Sequence, residues 1–126
     1  MDYKVLLFED DEALNYIYKR QLELGGLSTD AYLTGSGGLN ALQTNNYSII
    51  LLDIMLPDIN GLDILKQIKE NDQKKHIPVI LLTNLATENI IKEGYSRGAN
   101  GYLLKASYTP DQIVEEVKKI LQGVAQ

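Results

Sequence analysis

The sequence predicts an α/β domain built on a doubly wound, five-stranded parallel sheet. Three observations carry this expectation. Short apolar runs recur at Val5-Leu6-Leu7-Phe8, Ile49-Ile50-Leu51-Leu52, Val79-Ile80-Leu81-Leu82 and Tyr102-Leu103-Leu104, without alternating apolar and polar residues. Such runs suit strands covered on both faces, as in parallel sheets. Helical periodicity lies between them, and the strand–helix order repeats five times with short connections, which implies right-handed crossovers.

Each element has its own signal. After the first strand, Leu14, Ile17, Tyr18 and Leu22 recur at helical spacing and predict a helix near 12–25 that stops at Gly25-Gly26. A weaker strand is expected at 28–33. A short helix follows at 37–45, with Ser36 as its cap and Gly37-Gly38 weakening its first turn. The third strand is followed by a helix marked by Leu62, Leu65, Ile68 and Lys69, whose apolar face is Leu62, Leu65 and Ile68 alone. Gly61 after Asn60 allows a tight helix start. A short helix at 87–97 follows the fourth strand. Ile113, Val117, Ile120, Leu121 and Val124 mark the last helix, which Thr109, Pro110 and Gln112 begin as N-cap, first helical residue and capping-box partner.

Composition narrows the function classes. The chain has 126 residues, a length that supports one domain. It has no cysteine and one histidine, His76, so disulfides, thiolate sites and histidine metal clusters are excluded. Twelve basic and 17 acidic residues give a net charge of −5, which argues against direct nucleic-acid binding. No apolar run reaches the ~20 residues of a membrane helix, and Met1 to Lys4 lacks signal-peptide character. The expectation is a cytoplasmic, single-domain protein without membrane insertion.

In parallel sheets ligands bind beyond the carboxyl ends of the strands. There the first strand runs into Glu9-Asp10-Asp11-Glu12, the third into Asp53, the fourth into Thr83 and the fifth into Lys105. Carboxylates gathered in one cleft repel: a pair about 4 Å apart at an effective dielectric of ~20 costs roughly 4 kcal/mol. A hard divalent cation removes that repulsion, and magnesium suits an all-oxygen site with few protein ligands. Lys105 and Thr83 can hold phosphate oxygens while one carboxylate acts as nucleophile.

This arrangement resembles the receiver domain of two-component response regulators. The residues that carry the resemblance are Phe8-Glu9-Asp10-Asp11-Glu12, Leu52-Asp53-Ile54-Met55-Leu56-Pro57 with Gly61, Leu82-Thr83, and Gly101-Tyr102-Leu103-Leu104-Lys105. It covers about residues 4–122, and no output domain is visible. The resemblance implies a flavodoxin-like (βα)5 fold with strand order 2-1-3-4-5. It makes Asp53 the phosphoacceptor. Magnesium ligation falls to Asp10 directly, to Glu9 through a metal-bound water, to Asp53, and to the backbone carbonyl of Met55. Lys105 pairs with Asp53 and then with the phosphoryl group, Thr83 moves toward that group, and Tyr102 is the switch aromatic. Met55 and Leu85 flank the approach of water, and Asp11 starts the first helix. The implied partners are a sensor histidine kinase or a histidine phosphotransfer protein, with an unidentified downstream protein target. The implied state is a monomer or a phosphorylation-dependent dimer. The output face is the fourth helix, fifth strand and fifth helix, where Ile91, Tyr95 and Tyr108 are candidate contacts. Two residues depart from the family pattern: Ala106 stands where proline often follows the lysine, and Asn84 stands where a small residue usually follows the threonine, predicting narrower access to Asp53.

Taken singly, these residues have ordinary explanations. An acidic run is usually a solvated helix start, Asp53 suits a turn before Pro57, and Tyr102 suits a half-buried strand. Their joint placement at one sheet edge overturns those readings; His76, in a polar loop, receives no role. A turnover phosphatase is disfavoured, because haloacid-dehalogenase-like enzymes need a second acid where Met55 stands. A phosphorelay shuttle and a phosphate-independent scaffold remain the alternatives to a phosphorylatable receiver.

Overall fold

A computed structural model describes residues 2–85 and 87–123. Five strands, β1 (Lys4–Phe8), β2 (Ser28–Tyr32), β3 (Ile49–Leu52), β4 (Val79–Thr83) and β5 (Gly101–Leu104), form one parallel sheet in the order β2-β1-β3-β4-β5. Five helices connect or follow them: α1 (Glu12–Leu24), α2 (Gly35–Thr44), α3 (Gly61–Glu70), α4 (Glu88–Ser96) and α5 (Pro110–Leu121). The expected doubly wound architecture and strand order are present.

Both sheet faces are covered, which explains the unbroken apolar runs. Leu6, Phe8, Ile50, Leu52, Val79 and Leu81 point to one face and pack with α2 and α3. Val5, Leu7, Ile49, Leu51, Ile80 and Leu82 point to the other and pack with α1 and α5. Burying side chains of this size stabilises the fold by roughly 1.5–3 kcal/mol each before entropy is counted.

Several local expectations need correction. Thr34, not Ser36, caps α2: its hydroxyl accepts from Gly37 N at 3.1 Å, so the helix begins two residues earlier than predicted. The glycine that weakens this helix intrinsically permits its packing, because a Cβ at Gly38 would lie 2.1 Å from the Phe8 ring. Ile64 joins Leu62, Leu65 and Ile68 in the core, widening the apolar face of α3 beyond the predicted three residues. Ile17 sits at the margin of α1 and is exposed, while Tyr18 and Leu22 are buried. Lys69 is partly buried and its ammonium donates to Lys75 O, Ile77 O and Asn100 Oδ1, tying the approach to β4 to the approach to β5. The α5 capping box forms as predicted, with Ile113, Val114 and Val117 buried and Ile120 and Leu121 packed against that core. Val124 lies outside the described residues.

Candidate functional site

The carboxyl ends of β1, β3, β4 and β5 open into one cleft of about 380 Å³. It is lined by Glu9, Asp10, Asp53, Met55, Thr83, Asn84, Leu85 and Lys105, with Asp11 and Leu14 at the α1 side. All the residues expected at the site therefore meet there except Tyr102, which adjoins it through Leu85.

Parallel pairing explains the convergence. Phe8 pairs with Leu52, so Glu9 and Asp53 emerge side by side, and Leu52 with Leu81 and Thr83 with Leu104 bring Thr83 and Lys105 to the same edge one and two steps further on. Asp53 N continues the β1–β3 ladder by donating to Phe8 O at 3.1 Å. Glu9 N does the same toward Tyr32 O at 3.0 Å.

Lys105 is the electrostatic centre. Its ammonium lies 2.8 Å from Asp53 Oδ2 and forms a second ion pair with Glu9. Glu9, Asp53 and Thr83 are buried, and Asp10 is exposed at the mouth. Burial pushes the Glu9 carboxyl above its ordinary range, against the hydrogen bonds from Lys105 and the Asp11 backbone. Burial also works against the Lys105 ammonium, but hydrogen bonds and charge from Asp53 and Glu9 outweigh it and raise its pKa.

The loops around the acids are hydrogen-bonded at short range. Glu9 Oε2 accepts from Asp11 N, and Asp11 Oδ1 caps α1 through Leu14 N, both at 3.0 Å, so Asp11 starts the helix as expected. The Asn15 amide donates to Glu9 O and Tyr32 O, bracing the β1–α1 turn. Met55 N donates to Asp53 Oδ1 at 3.3 Å, and the Met55 side chain is exposed on the rim. Thr83 Oγ1 accepts from Leu85 N at 3.1 Å, while Leu85 O accepts from the Tyr102 hydroxyl. The two departures noted in the sequence meet: Asn84 Oδ1 accepts from Ala106 N at 3.1 Å. The Lys105–Ala106 bond is trans, and Lys105–Ser107 forms a 3-10 turn. Asn84 is exposed and lines the cleft.

Sequence reasoning missed Asp58 as a support of the β3–α3 loop, and read Gly61 only as a helix start. Asp58 accepts from Gly35 N at 2.8 Å and Ser36 N at 2.9 Å, anchoring the loop to α2. These bonds hold the Asp58 carboxyl down at about 2. Gly61 lies directly on the backbone that carries Asp53: a Cβ there would sit 2.2 Å from Asp53 O. Asp58 carried no local signal, since its partners lie more than 20 residues away.

The acids fit a hard cation. Carboxylate oxygens of Glu9, Asp10 and Asp53 can all lie within 4.8 Å of one another. Glu9 Oε1 is buried and faces the Lys105 ammonium, while Glu9 Oε2 accepts from Asp11 N. Three carboxylate oxygen donors suit magnesium better than a softer metal.

A doubly wound sheet with an acid–lysine cleft at its carboxyl edge defines a domain of the receiver class. The family model described as response regulator receiver domain matches residues 5–118, and the chain belongs to that family of two-component signalling domains. It is 30% identical over 122 residues to the transcriptional regulatory protein SrrA of Staphylococcus aureus, covering 97% of this chain and 49% of that protein. It is 29% identical over 119 residues to the phosphate regulon transcriptional regulatory protein PhoB of Rhizobium meliloti, covering 94% of this chain and 52% of that protein. The chain thus spans about half the length of these curated relatives. The receiver domain of the Francisella response regulator 1452 superposes with a TM-score of 0.86 at 30% identity, covering 99% of this chain and 100% of that one. Among the described residues, no helix is long and apolar enough to cross a membrane.

Proposed function

We propose that the chain accepts a phosphoryl group on Asp53 from the phosphohistidine of a sensor histidine kinase or a histidine phosphotransfer protein. The observation that carries this reading is the buried Asp53–Lys105 pair at 2.8 Å, set beside Glu9 and Asp10 in an open cleft. An Asp53 carboxylate oxygen attacks phosphorus. The new O–P bond forms as the P–N bond to the donor imidazole breaks, and the imidazole keeps the electron pair and takes up a proton. Lys105 follows charge from the carboxylate to a phosphoryl oxygen, and the Thr83 hydroxyl donates to another. Asp10, Asp53 and the Met55 carbonyl would hold magnesium, with Glu9 acting through a metal-bound water, and the ion would supply charge neutralisation. Positioning and neutralisation are most of what this chemistry needs.

The output is a population shift between two arrangements of Thr83 and Tyr102. Leu85 connects them, since its N–H reaches Thr83 and its carbonyl holds the Tyr102 hydroxyl. Movement of Thr83 toward a phosphoryl group therefore reaches the α4–β5–α5 face, where Tyr95 is exposed and Ile91 and Tyr108 are half-buried. The protein works in the cytoplasm as a signalling module that promotes its own phosphorylation and dephosphorylation, not as a turnover enzyme. Acetyl phosphate should label the protein only with magnesium, and Asp53→Asn should take no label. Equal labelling of that variant would overturn the assignment. Pull-down with and without beryllofluoride identifies the downstream partner.

A further inference from the structure

We propose that Asn84 is a positioning residue for Lys105, acting through the backbone of Ala106; this rests on the reading of Asp53 as phosphoacceptor. Asn84 directly follows Thr83, and Ala106 directly follows Lys105. The bond from Ala106 N to Asn84 Oδ1, 3.1 Å long, therefore joins the neighbours of the two residues that flank the cleft on β4 and β5.

The bond answers a local need. Lys105–Ser107 is a 3-10 turn preceded by Leu104, which offers no side-chain cap. The first N–H groups of a helical turn have no partner within it. Asn84 supplies one from a loop 22 residues away. Its amide is a suitable group here: it accepts the hydrogen bond and brings no further negative charge to a cleft already lined by Glu9, Asp10, Asp11 and Asp53.

The consequence falls on Lys105. A lysine ammonium rides on a flexible four-carbon stem, so its position depends on where its Cα is held. The strand fixes the chain before Lys105, and the Asn84–Ala106 bond fixes it after. The same loop is held again one residue on, where Leu85 bonds to Thr83 and Tyr102. Asn84 thus gathers the hydroxyl and the ammonium into one framework before any phosphoryl group arrives.

The test compares wild type, Asn84→Ala, Ala106→Pro and the double variant. Asn84 is exposed, so removing its amide leaves the core untouched. Asn84→Ala should speed hydrogen exchange of the Ala106 amide by about tenfold. It should also slow labelling by acetyl phosphate by roughly tenfold, short of the ~100-fold that a 1 Å misplacement can cost, while magnesium affinity and melting temperature stay unchanged. Ala106→Pro removes the donor, so adding Asn84→Ala to it should slow labelling no further. Unchanged labelling by Asn84→Ala, or equal further slowing in the Ala106→Pro background, would overturn the positioning role. A wild type that takes no label would instead remove the phosphoacceptor reading and this role with it.

Discussion

Lys105 shares one ammonium between two buried carboxylates from different strands, Asp53 after β3 and Glu9 after β1. Lys105→Met should therefore do more than slow labelling at Asp53. It leaves both acids buried without their counter-charge, a change that typically costs ~3–5 kcal/mol. The expected outcome is a lower melting temperature without metal, partly restored by magnesium. A melting temperature equal to wild type would show that the pair contributes nothing to the fold.

Glu9 predicts the sign of a pH effect. Its folded pKa is raised above the ordinary 4.5, chiefly by burial. A raised pKa contributes stability that is fully present below the unfolded value and is lost as pH rises through the folded one. Above the ordinary carboxylate range Glu9 is thus a net cost to the metal-free protein. Glu9→Gln should raise its melting temperature there, lose that advantage in acid below about pH 4, and weaken magnesium binding. Asp10→Asn should likewise weaken magnesium binding and stabilise the metal-free fold by relieving repulsion among the acids. Melting curves with and without magnesium measure both variants.

Met55 and Leu85 line the cleft with apolar side chains, and in the proposed function water reaches a phosphorylated Asp53 past them. Self-dephosphorylation should be slow. Met55→Asn, which offers that water a hydrogen bond, should accelerate phosphate loss by about tenfold, short of the roughly hundredfold given by a well-placed proton-transfer group. Decay of labelled protein reads the difference directly.

Gly61→Ala should injure the site from behind. The added methyl would meet Asp53 O at 2.2 Å and Ile54 Cα at 2.7 Å, and neither backbone atom can swing aside. Overpacking of this kind typically costs ~1–3 kcal/mol. Denaturant unfolding should show that loss, and labelling should slow because the backbone bearing Asp53 has moved.

Asp58 predicts a second acid dependence of opposite sign. Its pKa is lowered from 3.8 to about 2 by the backbone N–H groups of Ser36 and Gly35. A lowered pKa gives stability that is present above the unfolded value and lost as pH falls through the folded one. Wild type should lose stability across that interval, and Asp58→Asn should lose less. Acid melting series on the two proteins check it.

The fold was legible because buried parallel strands leave continuous apolar runs and amphipathic helices leave a period. Glu9, Asp53, Thr83 and Lys105 were legible because each ends such a run. What the sequence concealed depends on contacts distant along the chain. Thr34 displaced Ser36 as cap because Asp58 occupies the Gly35 and Ser36 amides. Ile64 was hidden because α3 is wedged deeper against the sheet than a narrow stripe of three side chains requires. Asn84 and Ala106 read as separate oddities, and only their spatial meeting gives them a common meaning.

The burial of β3 and β4 along their whole length has one more consequence. With both faces greasy, neighbouring alignments of these strands look much alike to the surrounding helices. The polar groups at their tips tell them apart. Sliding β3 back by a single step would drag Asp53 between Phe8 and Leu81 and strand an ionised acid away from its lysine, at several kcal/mol. The charged residues of the cleft thereby also act as end stops that keep the sheet from assembling out of step.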